Sequence, residues 1–444
     1  MEDSLYPSLV VAGKAPETHT LAARMAEFNV PGLSIAVVEN GRIAWAKGYG
    51  FSDAEAGTPV TTSTLFQAAS ISKPVAALAA LQMVDEGKLS LDGNVNEALQ
   101  SWSVPEHEFA ATEQVTLRRL LNHTAGTTVW GFPGYVADED VPSTVGVLAG
   151  DGNTDPIELF KTPGESWQYS GGGYTVAQLL MEEAAGETFP ALMQSRVLGP
   201  LEMSESTFQQ PLPAALHANA AAGYRHDGDR VVGKWHTYPE MAAAGLWTTP
   251  SDLAAFVVAM QSAFAGEEGS VLSGETTAQM MKAGMNNQGL GPAISEDGDW
   301  FMHGGANEGF RCFMLGSLEG GNGLIMMTNG DNGGALVDEV KVTIGRLYGW
   351  DALVPAEKVV AAIGSEAFEA VAGTYRFDFG EAVFTYQDGK LLLTATFLEG
   401  ENILLPESAS TFFHMTEGDQ FEFLLNADRV VAVRVNGQAV GTKK

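Results

Sequence analysis

The chain has 444 residues, 45% of them hydrophobic, enough for a buried core and long for one domain, so two or three domains are expected. Its formal net charge of −31 at pH 7 repels nucleic-acid phosphate and anionic lipid, which sets both aside as partners and accords with a soluble surface. A single cysteine, Cys312, permits no internal disulfide and no cysteine-based metal cluster.

The opening MEDSLYPSLV has no basic stretch leading into an apolar core, so as given it does not read as a signal peptide. The compartment therefore stays open between the cytoplasm and, if a leader was trimmed, the periplasm or exterior. The best apolar run, PVAALAALQMV, falls short of the ~18 residues of a membrane span. Residues 15–29 put Leu21, Met25 and Phe28 on one face of an amphipathic helix. LSIAVVEN and GRIAWAKGYGF then form two β-rich runs joined at Asn40-Gly41, a strong hairpin signal. From Ser70 the pattern turns helical, through ISKPVAALAALQMVDEGKLS, VTLRRLLNHTAG, YTVAQLLMEEAAG and SDLAAFVVAMQSAF. Strand character returns at GFRCFMLGS and NGLIMMTNG, ahead of a helical VDEVKVTIGRLYGW. This order predicts an α+β domain over residues 1–354: an antiparallel sheet flanked by helices, with a helical insert and a cleft between sheet and insert for the site. Over residues 355–444, short alternating runs separated by turn residues predict about eight strands, a small antiparallel barrel or sandwich.

Three stretches carry residues suited to chemistry. QAASISKP, residues 67–74, sets Ser70 three positions ahead of Lys73. Pro74 fits only near a helix start, so the helix begins close to Ser70, and residues three apart share a face. A lysine taken out of water gives up its proton more readily and can then activate a hydroxyl. Taken alone the pair is also what a capping serine and a solvated lysine look like; Ser-x-x-Lys arises about once by chance in a chain this long. WQYSGGGYTVAQLL places Tyr169 before a glycine-rich turn that opens a helix, where a phenol beside a cation could share the base role or simply occupy a loop. Ser170 is a rival nucleophile, but Gln168 stands where Gly-x-Ser-x-Gly needs its first glycine. FMHGGANEGFRCFM sets His303 ahead of Gly304 and Gly305 at a strand edge, where glycine often marks close approach of a ligand. The alternative there is a partly buried, hydrogen-bonded histidine.

The three motifs in this order resemble the serine β-lactamase and penicillin-binding-protein superfamily. The likeness is to its class C β-lactamase-like branch, which also holds esterases, D-aminopeptidases and DD-carboxypeptidases. LLNHTAGTT, GFPGY and AAAGLWTTPSDLAAF fit the same branch, the likeness covers roughly residues 15–350, and the tail resembles a lipocalin-like domain. The resemblance implies that Ser70 is acylated, that Lys73 and Tyr169 share acid–base work, and that His303 stands where many relatives have the lysine of Lys-Thr-Gly. It further implies an oxyanion hole built from the backbone amides of Ser70 and Ala306. Two departures matter. Gly171 replaces the asparagine of Tyr-x-Asn, and His303 is a weaker, titratable cation than lysine. Both lean toward neutral esters or amides and away from β-lactams.

Gly171, Gly304, Gly305, Tyr135, Tyr238 and Trp247 are candidates to line the pocket, with Glu240 beside them in a glycine- and proline-punctuated stretch. His123 reads as a loop-structuring residue and Cys312 as a small core residue. The remaining histidines share no spacing, so no metal site and no cofactor are expected. The expected function is a serine hydrolase with an acyl-enzyme on Ser70, acting on a small ester, amide or peptide. The alternatives are a D-aminopeptidase or DD-carboxypeptidase, a penicillin-recognising sensor that acylates without turnover, and a binding protein whose barrel carries an apolar ligand.

Overall fold

The computed structural model describes residues 1–110, 113–396, 398–415, 418–427, 429–437 and 439–444. They form two compact units, Ala22–Val337 and Asp338–Lys444 together with Met1–Leu21.

In the larger unit, β1 (Gly32–Glu39) and β2 (Arg42–Asp53) form the expected hairpin. Asn40 and Gly41 both take left-handed backbone angles, φ 53° and 71°, as a tight two-residue turn requires. β3 (Thr58–Pro59), β6 (Ala293–Ile294), β7 (Trp300–Asn307), β8 (Phe310–Ser317) and β9 (Gly323–Thr328) complete a seven-stranded sheet. Its order is β3-β2-β1-β9-β8-β7-β6, and every pairing is antiparallel. The early and late parts of the unit meet at its centre, where Leu33 to Val38 lie opposite Thr328 to Gly323. β1 is buried along nearly its whole length, which suits an unbroken apolar run covered on both faces. β4 (Phe66–Gln67), just ahead of Ser70 in the chain, pairs with β5 (Trp247–Thr248) in a separate two-stranded sheet.

The helix Ser72–Asp85 is apolar all round and buried along most of its length, and alanines let neighbours approach from every side. A 3₁₀ turn, Ala69–Ile71, precedes it, and Pro74 occupies its first turn, where the missing amide hydrogen costs nothing. The helices Gly171–Ala185 and Pro250–Phe264 are each opened by a side-chain cap, Ser170 and Thr249.

In the second unit, β10 (Gly373–Phe377), β11 (Gly380–Gln387), β12 (Lys390–Ala395), β13 (Leu398–Pro406), β14 (Thr411–His414), β15 (Gln420–Asn426), β16 (Arg429–Val435) and β17 (Ala439–Lys443) run up and down. β17 pairs back on β10 and closes an eight-stranded barrel. Tyr375, Phe384, Phe412, Phe421 and Phe423 fill its core, with edge-on ring contacts of 5.1 to 5.8 Å. Ahead of it in sequence, Val11 pairs with Lys358 and Leu5 with His19. Among the described residues, no helix is long and apolar enough to cross a membrane.

Candidate active site

The Lys73 Nζ lies 3.0 Å from the Ser70 Oγ and donates to the Ala243 carbonyl at 2.8 Å. Lys73 is only 2% exposed, so its ammonium sits out of water against two neutral oxygens. Its position is built from three sides. The Leu246 amide donates to the Ser72 Oγ (3.0 Å) and the Ala68 amide to the Leu246 carbonyl (2.8 Å), which fastens the Ser70 turn to the segment that presents Ala243. Asn307, at the end of β7, donates to the Gln67 side chain (2.8 Å) and to the Ala244 carbonyl (3.1 Å). Ala69, immediately before Ser70, holds φ at 49°, a left-handed angle that costs a residue with a β-carbon about 1 kcal/mol and is kept by the surrounding contacts.

The Tyr169 ring centroid is 4.8 Å from the Lys73 Nζ, and that of Tyr174 is 5.7 Å away, so both aromatic faces share the cation. His123 brackets Tyr169. Its carbonyl accepts the Gln168 amide (2.8 Å), its Nδ1 accepts the Ser170 amide (3.1 Å), and its ring lies 4.3 Å from the Tyr169 ring. With Nδ1 an acceptor, the ring proton of the neutral imidazole is on Nε2. Burial, reinforced by the Lys73 charge, holds this imidazole well below the ordinary histidine range, so it is neutral at pH 7. From sequence His123 read as a loop-structuring residue. The structure puts that loop directly behind Tyr169, a role that only the fold makes visible. Ser170 is buried, caps the following helix through the Gly173 amide (3.0 Å) and donates to the Thr128 carbonyl (2.9 Å). Its hydroxyl is thus occupied in structure.

The His303-Gly304-Gly305 stretch lies within β7, not at the edge of a neighbouring strand; Gly304 and Gly305 pair with Phe313 and Cys312 of β8. A β-carbon on Gly305 would stand 2.3 Å from the Ala68 carbonyl oxygen, so glycine lets β7 press against the Ser70 turn. A β-carbon on Gly304 would meet only the Cys312 carbonyl oxygen, at an ordinary contact distance of 3.8 Å. His303 is buried, and its Nδ1 donates to the Gly304 carbonyl at 2.6 Å, which leaves Nε2 as an acceptor. Burial and the nearby Lys73 charge push it down to about 4, so at neutral pH it carries no charge. A β-carbon on Gly171 would meet the Phe132 ring at 2.7 Å and the Trp130 carbonyl at 3.1 Å, so space as well as chemistry is missing for an asparagine there.

The other expected pocket residues are buried. Trp247 packs edge-on between Trp235 and Phe310, the Tyr238 hydroxyl accepts the Glu308 amide (3.1 Å), and the Tyr135 hydroxyl accepts the Asn153 amide (2.9 Å). Glu240 is fully buried, and both its carboxyl oxygens lack a hydrogen-bond partner. Cys312 is buried and donates to the Gln67 carbonyl. Among the described residues no cluster of His, Cys, Asp and Glu could hold a metal ion.

The sequence pattern of the family described as Beta-lactamase matches residues 18–344. The relatives include Protein flp of Staphylococcus aureus (strain MW2), 29% identical over 226 residues, covering 50% of this chain and 42% of that protein. Esterase EstB of Burkholderia gladioli is 31% identical over 210 residues, covering 46% of this chain and 52% of that protein. The chain therefore spans about half the length of the curated relatives it matches. Among solved structures, the octameric penicillin-binding protein homologue from Pyrococcus abyssi superposes with a TM-score of 0.66 at 22% identity, over 95% of this chain and 98% of that one. SurE with D-Leu gives 0.62 at 22% identity, over 95% and 97%. These two share the fold. The family pattern runs through all three motifs, Ser70–Lys73, Tyr169–Gly171 and His303–Gly305. The chain belongs to the beta-lactamase family.

Proposed function

We propose that the protein hydrolyses small esters or amides through an acyl-enzyme on Ser70, with weak or no action on β-lactams. The observation that carries this reading is the buried Lys73 amine 3.0 Å from the Ser70 hydroxyl. In its neutral form that amine takes the Ser70 proton as Oγ bonds to the substrate carbonyl carbon. The negative charge formed on the carbonyl oxygen goes to the backbone amides of Ser70 and Ala306. As the C–O or C–N bond breaks, the leaving group takes back the proton, with the Tyr169 phenol sharing the transfer. Water then repeats the sequence on the acyl carbonyl and releases the acid and free Ser70. The preference for neutral acyl groups is supported by His303, which is uncharged at pH 7 and offers no cation to a β-lactam carboxylate, and by the filled space at Gly171.

The test is intact-mass analysis after treatment with a fluorophosphonate, alongside turnover of p-nitrophenyl esters, D-amino-acid amides and nitrocefin. The expected result is one adduct, absent in Ser70→Ala, with esters or amides turned over well ahead of nitrocefin. An adduct that persists in Ser70→Ala, or nitrocefin as the best substrate, refutes the reading.

A further inference from the structure

Asn307 occupies the last position of β7, next to Ala306, the residue whose amide is assigned to the oxyanion hole. It is buried, and its side-chain amide carries two hydrogens, both of them used. One goes to the Gln67 Oε1 (2.8 Å), three residues ahead of Ser70. The other goes to the Ala244 carbonyl (3.1 Å), one residue past the carbonyl that holds Lys73. A single nitrogen thus links three chain segments: the strand of the oxyanion amide, the approach to the nucleophile, and the segment that seats the lysine.

Strand geometry explains why the link falls at this position. Side chains two apart on a strand share a face, so Asn307 points the same way as a side chain at Gly305 would. Gly305 leaves the room that brings β7 against the Ala68 carbonyl, and Asn307 supplies the bond that keeps it there. Both ends of the link are themselves held. The Gln67 Nε2 donates to the His236 carbonyl (2.7 Å), and the Gln67 backbone carbonyl accepts the Cys312 thiol of β8 (3.1 Å). The Arg311 Nη1 donates to the Asn307 carbonyl (2.7 Å). An ionised aspartate of the same shape has no hydrogen to give and sets its oxygens against two acceptors, while a serine can serve only one of them.

We propose that Asn307 is a positioning residue for acyl transfer. It fixes the Ala306 amide, the Ser70 hydroxyl and the Lys73 amine relative to one another, and so acts on the transition state more than on substrate binding. This role rests on the reading of Ser70 as nucleophile and Ala306 as oxyanion donor. Misplacing reacting groups by about 1 Å costs about 10²-fold in rate, and a lost oxyanion donor about 10²–10³-fold in kcat.

The experiment compares Asn307→Asp and Asn307→Ser with the parent protein and with Ser273→Ala. Ser273 caps the helix Gly274–Met280 and bonds Asp85, about 18 Å along the helix from Lys73, so its loss lowers stability away from the site. Two readouts are taken: the rate of fluorophosphonate labelling, and kcat and KM for a p-nitrophenyl ester and its thionoester. Sulfur is a weak hydrogen-bond acceptor, so the thionoester responds less to displaced amides. Asn307→Asp is expected to label about 100-fold more slowly, with the ester loss in kcat rather than KM and the ester-to-thionoester ratio lowered about tenfold. Asn307→Ser is expected to fall between, and Ser273→Ala to melt earlier with the ratio unchanged. Where Asn307→Asp does not fold, Asn307→Ser carries the test. A parent-like ratio in folded Asn307→Ser, or the same fall in Ser273→Ala, overturns the positioning role and leaves the Ser70 assignment standing. Labelling that persists in Ser70→Ala removes the nucleophile, and the role of Asn307 with it.

Discussion

Glu240 offers a test of the buried electrostatics around the site that does not depend on substrate. Its carboxyl is fully buried without a side-chain partner, and burial raises it from 4.5 to about 7. Below about pH 4.5 the acid is protonated in both folded and unfolded chains, and its contribution is fully present. Between pH 4.5 and 7 the folded state keeps a proton that the unfolded state has released, so stability falls as pH rises; above 7 the loss levels off. At 1.36 kcal/mol for each pH unit between the two values, the loss amounts to about 3 kcal/mol. Glu240→Gln is neutral throughout and has the same shape. Its unfolding free energy relative to the parent protein, measured by urea titration at fixed temperature, is expected to rise by about 3 kcal/mol from pH 4.5 to pH 8.5. Subtracting one protein from the other cancels the remaining titrating groups. A difference that stays flat across that range refutes the argument, because a buried unpaired acid must charge at a cost.

Other outcomes follow from the same geometry. Lys73→Met is expected to lower ester kcat/KM by about 10²–10⁴-fold without lowering the unfolding midpoint, since a buried amine is exchanged for an apolar side chain of similar length; full activity in the variant would remove Lys73 from the reaction. His123→Asn keeps an acceptor for the Ser170 amide and tolerates φ 61°, whereas His123→Phe keeps a ring against Tyr169 and orphans that amide. Both are expected to move the alkaline limb of the pH–rate profile, and only the Phe variant to lose about 1–3 kcal/mol of stability; an unmoved profile in both would make His123 purely structural. Gly305→Val is expected to abolish fluorophosphonate labelling by forcing β7 off the Ala68 carbonyl, while Gly304→Ala folds with normal stability because its nearest neighbour is 3.8 Å away; equal behaviour of the two by labelling and thermal melting would refute the close-approach argument.

Much of this architecture is written in local patterns. Asn40-Gly41 marks its hairpin because both positions need left-handed angles, and the alternation after residue 372 marks the barrel because its outer face meets water and its inner face does not. Ser70 and Lys73 were legible for a similar reason, since a three-residue spacing beside a proline leaves little choice of geometry. β7 was less visible. Its two adjacent glycines depress strand propensity, and the strand holds because β8 pairs along its whole length. The placement of His123 behind Tyr169 was out of reach, because it depends on two loops separated by more than forty residues meeting at backbone hydrogen bonds. Nor could sequence tell that Tyr135, Tyr238 and Trp247 would be buried, since aromatic residues beside glycine and proline occur at pocket walls and in packed interiors alike.

The pairing of β1 with β9 bears on how the larger unit is born. A ribosome releases β1 and the Ser70 helix early, yet the strand that must lie beside β1 leaves the exit tunnel about three hundred residues later. Until then a strand made almost wholly of apolar side chains waits with one edge open, a condition that invites mispairing with other nascent chains. Truncated products ending before Gly323 should therefore aggregate and engage chaperones, and Ser70 is without β7, the strand packed against its turn, until synthesis of this unit is nearly done.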